Sequence, residues 1–125
     1  MMTARQAPVS AHDPLAGRSD AAALRATVAA VVDAVHPLAV VLFGSRARGD
    51  HRPTSDADLL VVVPEGLTTR AVCATLDDHL ALVDAPLDVD VIAATPVRLA
   101  AVRGDYSSVL HRAQEEGITL YDARG

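Results

Sequence analysis

Apolar residues recur at helical spacing early in the chain: Leu24, Val28, Val31, Val32 and Val35. That periodicity predicts an amphipathic helix over 20–35. Ser19 stands where an N-cap belongs and Asp20 falls in the first turn. His36-Pro37 then ends the helix, because a residue before proline is pushed out of the helical region. The pattern changes at once to a continuous apolar run over 38–43, and a second run follows over 57–63. Short unbroken runs of this kind predict strands buried on both faces. Helical spacing returns over 68–83, with Val72, Leu76, Leu80 and Val83 on one face. A third strand is predicted over 88–93. Thr95 can cap a short helix whose first position is Pro96, a further helix covers 107–116 and stops at Gly117, and a last short strand covers 118–121. The order is α-β-turn-β-α-β-α-α-β. It predicts an α/β (α+β) domain, a small mixed sheet flanked by helices. Residues 1–18 show no periodicity and read as a poorly ordered tail, which leaves 19–125 as the single domain.

Composition narrows the function classes. At 125 residues, half of them apolar, the chain can bury a core without disulfides. It has no Trp, so Ala, Val and Leu must build that core. The net charge is −5 and every basic residue is Arg. An acidic chain repels phosphate backbones, which argues against general nucleic-acid binding. Cys73 is the only cysteine, so neither an intramolecular disulfide nor a cysteine metal site can form. With no apolar stretch approaching the roughly 18 residues of a membrane span, a cytoplasmic setting is expected.

The candidate chemistry is concentrated at the centre of the sequence. Gly44-Ser45-Arg46-Ala47-Arg48-Gly49 follows the first strand, and eleven residues on from Gly44 comes Ser55-Asp56-Ala57-Asp58-Leu59. Residues i and i+2 on a strand share a face, so Asp56 and Asp58 aim at one point at the mouth of an apolar strand. Two adjacent carboxylates repel unless a cation, a proton or a cationic side chain compensates. Mg²⁺ suits such a pair, since it takes one or two carboxylates together with substrate phosphates. The third strand supplies Asp88 and Asp90, which share a face by the same parity. On the other side of the turn, Gly44 lets backbone approach a phosphate closely, a helical turn beginning at Ser45 would present free N–H groups, and Arg46 and Arg48 can add charge-assisted bonds.

Gly-Ser, a spacer, Asp-x-Asp and a later Asp on a neighbouring strand together resemble the minimal nucleotidyltransferases of the DNA polymerase β superfamily. The match is closer to the MNT-domain antitoxins that pair with HEPN-domain toxins, and it covers about residues 20–123. The resemblance implies that Gly44, Ser45 and Arg46 hold the triphosphate of ATP. It implies that Asp56, Asp58 and Asp90 bind Mg²⁺, with Asp90 also orienting or deprotonating the attacking hydroxyl. Asp90 is chosen over Asp88 because the family's acid precedes an apolar pair and Thr-Pro. The implied acceptor is a tyrosine on a HEPN RNase toxin encoded nearby, within a hetero-oligomer. Two alternatives stand beside this: an antitoxin acting by contact alone, and transfer to a small molecule such as an antibiotic. The Arg46-x4-His51 spacing matches a HEPN motif but lies in a loop, and the two Arg-Gly-Asp triplets (48–50 and 103–105) carry meaning only in an exported protein. His51, His111 and Cys73 read as ordinary surface or core residues.

Overall fold

The computed structural model describes residues 13–83 and 87–125. Its elements are α1 (Ala21–Val35), β1 (Ala39–Phe43), α2 (Ser45–Arg48), β2 (Ala57–Val62), α3 (Thr69–Leu80), β3 (Val89–Ala94), α4 (Pro96–Ala101), α5 (Val109–Glu116) and β4 (Ile118–Asp122). The four strands form one sheet in the order β3-β2-β1-β4. β1 runs antiparallel to both β2 and β4, while β2 and β3 are parallel. The sheet is therefore mixed, as the order of elements predicted. The parallel pair needs a crossover, which α3 supplies.

Strand parity divides the core. Val40, Leu42, Ala57, Leu59 and Val61 pack against Leu24, Val28 and Val31 of α1 and Val72 and Leu76 of α3. The opposite face carries Val41, Phe43, Leu60, Val62, Ile92 and Ala94, covered by Leu99 of α4 and Leu110 and Ala113 of α5. Each Leu or Val fully buried in this way stabilises the fold by roughly 1.5–3 kcal/mol. Both faces of β2 are lined, which explains its unbroken apolar run.

Helix ends follow local chemistry. Thr68 accepts a hydrogen bond from the Ala71 amide and Thr95 from the Arg98 amide, with Pro96 at the start of α4. At α1 the expected cap is corrected: Asp20, not Ser19, occupies the N-cap position and makes no capping bond. Its carboxylate is held instead by Arg18 and Arg46. Gly117 does end α5, but in extended conformation, φ −74° and ψ 156°. A Cβ there would run into the Ala113 carbonyl oxygen and Val41 Cγ1, so glycine serves the close approach of α5 to β1. Residues 1–12 of the expected tail lie outside the described residues. Its last part is structured: residues 13–18 contain a turn, and Leu15 is buried in the core.

Candidate active site

The end of β1 and the beginnings of β2 and β3 meet at one end of the sheet. Phe43 pairs with Asp58, and Asp58 pairs in turn with Asp90. Neighbouring strands are about 4.8 Å apart, so the two aspartates sit side by side. Both share strand parity with the residues facing α4 and α5, Leu60 and Ile92. Asp56, exposed, lies just before β2. Burial pushes the Asp58 carboxyl above the usual carboxylate range, and the charges of Asp90 and Asp56 push it further. The Arg48 guanidinium acts in the opposite direction. Asp58 thus senses three nearby charges, two of them carboxylates.

Gly44 is the other wall of the site. It adopts φ 73° and ψ −154°, a region reserved for glycine. A Cβ at Gly44 would overlap Asp58 Oδ2. Backbone and carboxylate are therefore in direct contact across the sheet end. Ser45 begins the single helical turn α2, where Ala47 and Arg48 donate back to the Gly44 carbonyl oxygen at 3.1 Å each. The first amides of a helical turn have no carbonyl within it to bond, so those of Ser45 and Arg46 are the donors this turn can offer.

The two arginines of the turn differ in exposure. The resemblance implies that Arg46 reaches phosphate; in the structure it is 3% exposed. Its Nη1 donates to Asp20 Oδ2 at 2.9 Å, Nε and Nη2 to the Ser55 carbonyl at 3.0 and 2.8 Å, and Nη2 to the Pro53 carbonyl at 3.2 Å. A guanidinium folded inward onto these acceptors does not face the open side of the turn. Arg48 is exposed. It is paired with Asp50 at 3.1 Å and, from α5, with Glu116 at 3.2 Å. Neither Glu116 nor Asp20 carries a local sequence signal for these contacts, because each partner lies far along the chain. Asp88 departs from Asp90 because β3 begins only at Val89: Asp88 lines a hollow with Thr27 and Asp77 on the α1–α3 side.

The donor set is all carboxylate oxygen, which suits a hard divalent cation. Among the described residues, no group of three His, Cys, Asp or Glu side chains stands ready to hold an ion by itself. The paired Asp58 and Asp90, with Asp56 beside them, fit a cation whose remaining ligands come from substrate phosphates rather than from a protein cage. No helix among the described residues is long and apolar enough to cross a membrane.

No curated protein matches the chain by sequence. A candidate nucleotidyltransferase from Sulfolobus solfataricus has a similar structure, with a TM-score of 0.57 and 21% identity over 82% of this chain and 80% of that one. A chain from a toxin–antitoxin crystal structure with AMP-PNP aligns with a TM-score of 0.48 and 20% identity over 80% of this chain and 73% of that one. At such identities the likeness is one of fold. The sequence itself matches the nucleotidyltransferase domain over residues 24–118, and the chain belongs to that family.

Proposed function

We propose that this protein transfers AMP from ATP to a hydroxyl group, and that the acceptor is a tyrosine of a HEPN-type toxin whose RNase activity is thereby silenced. The observation that carries the transfer reading is the pairing of Asp58 with Asp90 at the sheet end, with Asp58 pressed against Gly44. The acceptor rests on the sequence resemblance to antitoxins of HEPN/MNT pairs.

In this reading Gly44 and Ser45 cradle the triphosphate through backbone amides and the Ser45 hydroxyl. Arg48, not Arg46, supplies the cationic side chain, because it is exposed and its charge reaches Asp58. Asp90 accepts the proton of the attacking hydroxyl. The acceptor oxygen bonds to the α-phosphorus as the bond from that phosphorus to the bridging oxygen breaks, and pyrophosphate leaves. Mg²⁺, held by Asp56, Asp58 and Asp90, would neutralise phosphate charge and align the displacement. The protein contributes position and electrostatics, with no covalent enzyme intermediate.

The test is transfer of label from α-labelled ATP to the protein encoded beside this one, followed by mapping of the modified residue. Label on a tyrosine, accompanied by loss of RNase activity, is the expected result. Label confined to a small-molecule fraction would remove the toxin acceptor while keeping the transfer. Silencing of the partner without nucleotide would leave only an antitoxin that acts by contact.

A further inference from the structure

Arg46 is a buried charge that phosphate binding does not explain. An ion in the interior is costly unless its hydrogen-bonding groups are matched, and here the matching is extensive. Arg46 directly follows Ser45, the first residue of the phosphate turn. Its guanidinium reaches the carbonyls of Pro53 and Ser55, and Ser55 directly precedes Asp56. One side chain thus ties the donor half of the site to the acidic half. The remaining edge meets Asp20 at the start of α1. Arg18 binds Asp20 through two bonds of 2.8 Å and also donates to the Arg46 carbonyl oxygen at 2.9 Å. The turn is therefore gripped from both its side chain and its backbone. The hydrogen bond from Arg18, helped by Arg46, holds the Asp20 carboxyl at about 2, so the network is charged throughout the neutral range.

We propose that Arg18, Asp20 and Arg46 form a clamp that sets the separation of the Gly44–Ser45 turn from Asp56 and Asp58, making Arg46 and Asp20 positioning residues for nucleotidyl transfer. The proposal deepens the transfer reading and rests on it. A hydrogen-bonded network around a buried guanidinium favours one arrangement, and in-line displacement needs the phosphate cradle and the carboxylates in one fixed relation. A misplacement near 1 Å costs about a hundredfold in rate. The clamp makes no contact with the α-phosphate in this scheme, so loosening it should slow the chemical step more than it weakens ATP binding.

The experiment compares wild type with Asp20→Asn and Arg46→Lys by steady-state kinetics at temperatures well below melting, alongside amide hydrogen exchange over residues 44–56. Lys keeps the charge beside Asp20 but, as a compact point charge, cannot span the Ser55 and Pro53 carbonyls together. Both variants should lose about ten- to a hundredfold in kcat, with KM for ATP within about twofold and faster exchange over 44–56. Arg18→Gln, which opens only the outer edge, should give a smaller loss of the same kind and serves where the other two do not fold. A large rise in KM with kcat preserved would overturn the proposal and return Arg46 to phosphate binding. Unchanged kcat and KM in the folded variants would also overturn it, leaving a purely structural ion pair. If wild type transfers nothing, the transfer reading fails on its own; exchange then decides the clamp, and unchanged protection over 44–56 would overturn it.

Discussion

At the scale of single residues, Gly44 and Asp58 constrain each other. Gly44 combines a positive φ with backbone placed against a carboxylate oxygen. Gly44→Ala should destabilise the fold by about 1–3 kcal/mol from backbone strain and displace Asp58, abolishing activity in whatever fraction remains folded. Chemical denaturation and a transfer assay on the same sample would check both effects. Asp58 behaves differently. Its folded carboxyl lies above the ordinary range because of burial and the charges of Asp90 and Asp56, so ionising it opposes folding. The penalty is absent in acid and appears as pH rises through the carboxylate range. Asp58→Asn should therefore melt slightly above wild type at neutral pH without ligand, and equal to it in acid, while transfer is abolished. A melting temperature below wild type at neutral pH would show that the carboxylate is compensated in the free protein. Arg48→Gln should raise KM for ATP by about tenfold, the cost of one charge-assisted bond, with kcat less affected.

Between elements, the long connection from β1 to β2 is held by its own turns and by the Arg46 side chain, which anchors it to the start of α1. Asp20 lies 26 residues before Arg46. Because its folded carboxyl sits below the ordinary value of 3.8, at about 2, its contribution is present in full above the unfolded value. It is lost as pH falls from about 4 through about 2, and is worth roughly 2 kcal/mol. Acid titration of stability should show this loss in wild type and lack it in Asp20→Asn. The same network marks the limit of the sequence. Periodicity gave the helices and strands, because alternating and unbroken apolar runs report burial directly. It placed Asp58 and Asp90 correctly on strands, since parity follows from spacing alone. The direction of Arg46 could not be read, because its acceptors are a distant carboxylate and two loop carbonyls with no residue signature. Asp88 shares parity with Asp90 in the sequence, yet the strand starts one residue too late to keep the two together.

For the molecule as a whole, a mixed four-stranded sheet brings the end of β1 and the starts of β2 and β3 to one end of the sheet. The candidate residues gather there because β1 runs opposite to β2 and β3. Two carboxylates side by side in an acidic protein should bind nucleotide and cation cooperatively, each relieving the other's charge. Mg²⁺ together with a non-hydrolysable ATP analogue should raise Tm more than the two separate shifts combined, and Asp58→Asn should remove that excess. Additive shifts would argue against a shared site. The most direct measurement is transfer of radioactivity from ATP labelled at the α-phosphate compared with the γ-phosphate, using wild type, Asp58→Asn and Asp90→Asn with Mg²⁺ and the neighbouring protein. Label from the α-phosphate alone should reach the acceptor, with pyrophosphate released in equal amount and both variants inactive. Transfer of γ-label, or undiminished α-transfer by both variants, would contradict the transfer reading.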